Sequence, residues 1–134
     1  MPILDTVVLF AAADPLDRFH KDGVRQLGRV GGKLLVGTFA LMEFDVVLKS
    51  RGLSAAERMK EMALLMKDYP GVASSVHPIS PSTLYLAALD EQEFGLDYFD
   101  SLMAAEAAEH DGEMVSSDRG FDAVPNLKRI PLEG

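Results

Sequence analysis

A chain of 134 residues, 48% hydrophobic and 25% charged, has material for one core and little for a second, so a single domain over residues 1–134 is expected. It has no cysteine, which excludes a disulfide framework, a thiolate zinc site and a cysteine nucleophile. The net charge of -8 speaks against holding nucleic acid on a broad basic surface, because phosphate neutralisation needs clustered Lys and Arg.

Residues 2–10, PILDTVVLF, are apolar with one acid and predict a buried strand, with Asp5 within it or at its end. Residues 16–30 predict an amphipathic helix with Leu16, Phe19, Val24 and Leu27 on its apolar face; Gly23 weakens it and Gly31-Gly32 closes it. A very short apolar segment follows in residues 33–37, and Thr38 can cap a helix that runs to about Arg51. Ser54-Ala-Ala-Glu57 is a capping box that opens another helix, with Met59, Met62, Ala63 and Met66 on one face, ended by Tyr69-Pro70-Gly71. The seven methionines, mostly at helical spacing, read as core filler.

Residues 72–79 are strand-like, after which Ser80-Pro81 places a cap and a first-turn proline on a helix to about Asp90. A further helix is expected from Asp97 to about His110, then short strands at residues 114–116 and 127–130. Strands and helices alternate without hairpin turns, which points to an α/β layer fold around a parallel sheet. The start Met1-Pro2-Ile3-Leu4-Asp5 lacks a basic n-region and no apolar run approaches about 18 residues, so an intracellular, cytoplasmic protein without membrane segments is expected.

Four acids stand out by position. Glu43 shares a helical face with Phe39, Ala40, Val46 and Val47, and an inward carboxylate is costly unless paired, hydrogen-bonded or bound to a metal. Asp100 shares its face with Met103, Ala104, Ala107 and Ala108, while Asp97, three residues earlier, suits the N-cap of the same helix. Asp5 and Asp118 both stand near strand ends, where parallel α/β sheets bind ligands. The structural alternatives are a rim Glu or a Glu–Arg pair at 43, a helix-start acid at 100 and a turn Asp at 118. If the four converge, their like charges need a counter-ion, and Mg²⁺ or Mn²⁺ prefers such oxygen donors. His20, His77 and His110 are dispersed without metal-ligand spacing, and there is no nucleophile elbow, P-loop or dinucleotide fingerprint.

In order and separation these acids resemble the PIN-domain family, to which the VapC-type ribonuclease toxins belong. The segments are Leu4-Asp5-Thr6, Leu41-Met42-Glu43-Phe44, Tyr98-Phe99-Asp100-Ser101-Leu102-Met103-Ala104-Ala105, and Val115-Ser116-Ser117-Asp118-Arg119-Gly120-Phe121-Asp122, spanning nearly the whole chain. The resemblance implies a three-layer α/β/α fold whose mainly parallel sheet of four or five short strands is flanked by helices. It also implies a cleft where Asp5, Glu43, Asp100 and Asp118 hold one or two Mg²⁺ or Mn²⁺ ions for RNA hydrolysis. Ser116 occupies a place often taken by Thr, and Asp97 one often taken by Ser. Thr6 and Ser116 are candidates to orient water, Arg119 to contact phosphate, and Asp122 is a peripheral acid.

Such proteins are often toxins silenced by a small antitoxin, and they commonly form homodimers; RNA as substrate, a cognate antitoxin and a homodimer are therefore the expected partners. The acidic balance motivates a second reading, a PIN-like nucleic-acid- or protein-binding scaffold with weak catalysis. A phosphotransfer domain fits poorly, since Asp5 is followed by Thr6-Val7 where a haloacid-dehalogenase-like phosphatase has Asp-x-Asp.

Overall fold

The computed structural model describes residues 1–73 and 79–133. Elements follow in the order β1 (Ile3–Leu4), α1 (Thr6–Ala13), α2 (His20–Leu27), β2 (Leu35–Val36), α3 (Thr38–Ser50), α4 (Ala55–Asp68), α5 (Pro70–Ala73), α6 (Pro81–Phe94), α7 (Tyr98–His110), β3 (Glu113–Ser116), a 3₁₀ helix (Arg119–Ala123) and β4 (Lys128–Pro131). The four strands are all parallel in the order β2-β1-β3-β4. Ile3 lies between Leu35 and Met114, and Leu4 between Val36 and Val115. Successive strand residues face opposite sides of a sheet, yet Ile3, Leu4, Met114, Val115 and Ser116 are all buried. Both faces are therefore covered by helices, which gives the expected three-layer α/β/α arrangement.

The chain goes from β1 to β2 on one side and from β3 to β4 on the other, so strand order reverses between β1 and β3. The carboxyl ends of two strands at such a reversal frame a crevice. Asp5 follows the end of β1, and Ser116 ends β3.

The strand expected over residues 2–10 stops at Leu4, and Thr6 to Ala13 are helical. The run TVVLFAAA is apolar on all sides, so periodicity could not separate strand from helix, and Val7-Val8 bias a propensity reading toward strand. Tertiary packing decides: α1 lies against α2, α3 and β3, burying Val8, Leu9 and Ala11. The helix expected over residues 16–30 shortens to α2, and its buried face is Gly23, Gln26 and Leu27; Leu16 and Val24 are exposed. Gly23 is where α1 and α2 approach most closely, since a Cβ there would lie 2.8 Å from Ala12 N and 2.9 Å from Ala11 Cβ. Gly23→Ala is expected to lower stability by about 1–2 kcal/mol, overpacking outweighing the better helix propensity of Ala. Denaturant unfolding of the two proteins checks this, and an unchanged or raised midpoint would refute the close-approach explanation.

The Ser54 capping box forms, with Glu57 N–H donating to Ser54 Oγ at 3.2 Å and Ser54 N–H to Glu57 Oε1 at 3.0 Å. The core-filler reading of the methionines holds for Met103 and Met114, which are buried; Met42, Met59 and Met66 instead lie exposed on α3 and α4, where they border an open groove. Of the strand-like stretch 72–79, Val72 and Ala73 belong to α5, and residues 74–78, including His77, lie outside the described residues. The Ser80-Pro81 start holds, and α6 runs on to Phe94, closed by Gly95 in the left-handed region at φ 67°. No helix among the described residues is long and apolar enough to cross a membrane.

Candidate metal-binding acidic site

Asp5 is built in by the sheet. Its backbone N–H continues the β1–β3 ladder to Val115 O at 3.0 Å, and its extended φ of -72° and ψ of 156° turn the chain into α1. Although Asp5 holds the N-cap position, its side chain does not cap α1 by the usual hydrogen bond. Its Oδ2 instead accepts a 2.6 Å hydrogen bond from Ser116 Oγ at the end of the neighbouring strand. The residue is only 2% exposed. Burial pushes its carboxyl up from 3.8 to about 6, opposed by Ser116 and the Thr6 amide and reinforced by the charges of Glu43 and Asp118.

Ser116 joins two of the acids, because the oxygen that donates to Asp5 also accepts from Asp118 N–H at 2.9 Å. Asp118 in turn accepts from Gly120 N–H at 2.8 Å, capping the 3₁₀ helix, so its turn role and its place at the crevice coexist. Asp100 sits at the third position of α7, its own N–H donating at 2.8 Å to Asp97 Oδ1, and Asp97 is the cap of that helix. Partial burial raises the Asp100 carboxyl from 3.8 to about 7, with further contributions from the charges of Asp97, Asp5 and Asp118. Glu43 is half-buried on α3. The buried face of α3 is Phe39, Ala40, Phe44 and Leu48, while Val46 is exposed, so Glu43 stands at the rim of the apolar stripe and not within it. It is still close enough to Asp5 to raise that group.

The structure thus brings Asp5, Glu43, Asp100 and Asp118 into one electrostatic neighbourhood at the β1–β3 switch. The supporting candidates divide. Ser116 is within the site; Thr6 is buried beneath it and donates to Met103 Sδ at 3.2 Å. Arg119 is exposed beside Asp118. Asp122 forms a two-point pair with Arg129, at 2.9 Å to Nε and 3.3 Å to Nη2.

Sequence reasoning missed two residues. Arg129, read only as part of a strand, reaches back from β4 to donate to Ser116 O at 3.1 Å while holding Asp122, and so ties both ends of the segment that carries Asp118. Glu106, fully buried on α7, bonds the first amides of α3. Its sequence signal was weak, because Glu106 shares a helical face with Leu102 and Met103 on one side but with Glu109 and His110 on the other.

Chemically the set suits a hard divalent cation. Every donor is a carboxylate oxygen, and the most buried, Asp5, is raised in part by its neighbours' negative charge and meets no cationic side chain among the causes of its shift. Among the described residues no group of three or more acidic or histidine side chains stands close enough to form a ready-made cage. The four carboxylates therefore form no preformed cage, and an ion of the Mg²⁺ type, which keeps several waters, would take one or two of them directly and reach the others through water.

No family model and no curated protein sequence matches the chain. Solved structures share its fold. The structure of FitAcB from Neisseria gonorrhoeae aligns with a TM-score of 0.73 at 17% identity, covering 98% of each chain. That of FitAB bound to an IR36 DNA fragment aligns at 0.72 and 17% identity, covering 98% of this chain and 95% of the other. VapBC2 from Rickettsia felis, bound to a DNA fragment from their promoter, aligns at 0.68 and 13% identity, with 96% of each chain covered. At such identities the likeness is one of fold, and it agrees with the PIN-like architecture that the sequence resemblance implies.

Proposed function

We propose that the chain is a Mg²⁺- or Mn²⁺-dependent endoribonuclease that hydrolyses RNA phosphodiester bonds and acts as the toxin of a toxin–antitoxin pair. The observation that carries this reading is the buried Asp5 carboxylate at the strand-order reversal, sensing Glu43 and Asp118 and in turn acting on Asp100. Asp5, Glu43, Asp100 and Asp118 would hold the ion. Bound there, it supplies a Lewis acid that acidifies water and neutralises phosphate charge.

The chain's own residues do the rest. Ser116 fixes the Asp5 carboxylate through a 2.6 Å hydrogen bond and sets the backbone of Asp118. Asp97 fixes the first turn of α7, and with it Asp100. Without a cation, burial and the charges of Asp97, Asp5 and Asp118 raise the Asp100 carboxyl to about 7, so Asp100 would lose its proton on holding a divalent ion, and binding would tighten as pH rises through neutrality. Arg119, exposed beside Asp118, would meet a phosphate of the incoming strand. The net charge of -8 makes a basic partner favourable, which fits a cognate antitoxin; it equally motivates the scaffold reading. RNA and the antitoxin rest on the family resemblance and on the fold shared with FitAB and VapBC2.

Incubating purified, partner-free protein with mixed single-stranded and structured RNA, with Mg²⁺, Mn²⁺ or EDTA, tests the reading. Metal-dependent cleavage is the expected result. Folded protein that cuts no RNA with either metal would replace the nuclease with the binding scaffold.

A further inference from the structure

Helix α3, which carries Glu43, has no cap of its own. Its N-cap residue is Gly37, which has no side chain to offer, and Thr38, expected to cap the helix, is its first helical residue. The missing acceptor comes from α7. Glu106 Oε2 accepts from Thr38 N–H at 3.1 Å, and the Phe39 amide also bonds that carboxylate. Glu106 is fully buried, and negative charge at a helix start is favourable. Gly37 has an ordinary φ of -75°, so its backbone does not require glycine; the requirement is space, since a Cβ there would overlap the Glu106 carboxylate.

The two helices pack against each other, with the start of α3 at the end of α7. Thr38 precedes Glu43 by five positions, and Glu106 follows Asp100 by six. At about 1.5 Å of rise per residue, both acids stand roughly 7–9 Å along their helices from this junction. Both also interact electrostatically with Asp5. A change in the junction would therefore shift one wall of the acidic crevice against the other.

We propose that Glu106 is a positioning residue: it pins the start of α3 to α7 and so sets how far Glu43 stands from Asp100 across the crevice. The inference rests on the nuclease reading above. It touches neither metal nor RNA, and acts through α3.

Two variants test reach against charge. Glu106→Asp keeps the charge but draws the carboxylate back by one methylene. Glu106→Gln keeps the length and an acceptor oxygen for the Thr38 amide. Circular dichroism establishes that each is folded; Mn²⁺ affinity is measured by calorimetry, and kcat and KM on an RNA substrate are measured separately. E106D is expected to lose about 10–100-fold in Mn²⁺ affinity and in kcat, with KM for RNA unchanged, as for loss of a ligand-orienting partner. E106Q is expected to stay within about threefold of the wild type, as for exchange between two hydrogen-bond acceptors. Folded E106D with wild-type metal affinity and turnover would overturn the proposal, as would E106Q failing as badly as E106D. Wild-type protein that neither binds Mn²⁺ nor cleaves RNA would remove the nuclease reading itself, and this inference with it.

Discussion

Asp5→Asn is expected to abolish metal-dependent cleavage while making the protein more stable at neutral pH. The activity loss should exceed the roughly 10–100-fold typical of losing a ligand-orienting partner, because the variant removes the anion at the centre of the site. The stability gain follows from the raised carboxyl. An acid that holds its proton more tightly in the folded than in the unfolded chain favours folding where it is protonated. Asp5 therefore carries no penalty below its ordinary value of 3.8, a growing penalty from there to about 6, and its full penalty above. A shift of that size corresponds to on the order of 3 kcal/mol at pH 7.

Asparagine is neutral at every pH and its oxygen still accepts from Ser116 Oγ. D5N should thus gain on the wild type as pH rises from 4 to 7 and match it near pH 4. Saturating Mn²⁺ should raise the melting temperature of the wild type and leave D5N unmoved. A D5N protein that is less stable than the wild type at pH 7, with a flat pH difference, would refute the electrostatic description of the site.

Arg129→Ala should produce the second largest effect. The guanidinium joins Ser116 O to Asp122, and so holds the segment bearing Asp118 at both ends. Its loss leaves the Ser116 carbonyl short of a charge-assisted partner, an effect of about 1–3 kcal/mol on stability. Asp118 would lose its fixed approach to Asp5, and kcat is expected to fall about 10–100-fold. Arg129→Lys should recover little, because an ammonium cannot reproduce the planar fork that spans carbonyl and carboxylate together. Full turnover per folded molecule in either variant would show that the segment keeps its geometry without this tie. Thermal unfolding and single-turnover cleavage separate the two effects.

The parts of this molecule that could be read from sequence are those written in local chemistry. The caps at Ser54, Ser80 and Asp97 are set by side chains within three residues, and all three helix starts appear where those residues stand. The late strands also fall where short β-branched and apolar segments predict them, within about one residue at either end. Residues 6–13 were misread because a run that is apolar on every side has no polar face to show its period. The face of α2 was misread because its closest packing is made by a glycine, which carries no hydrophobic signal.

The site follows the same division. Asp5, Glu43, Asp100 and Asp118 were visible as acids in apolar or strand-end settings, and their mutual influence bears on that choice. The contacts of Arg129 and Glu106 span 13 and 68 positions, distances at which no pattern of neighbours tells which partner a side chain will meet. Thr6 shows the limit from the other side: next to Asp5 in sequence, it turns the opposite way, toward Met103.

The hydrogen bond between Asp5 and Ser116 joins residues 111 positions apart, and β1 lies between an early neighbour and a late one. While the chain is being synthesised, β1 can meet β2 within its first few dozen residues, but β3 does not yet exist. The chain as far as residue 118 must be translated before the Asp5 carboxylate has its Ser116 partner or Asp118 nearby, and pairings of such long range form late in folding. A nascent chain is therefore expected to carry no assembled acidic crevice until β3 and the segment bearing Asp118 have emerged.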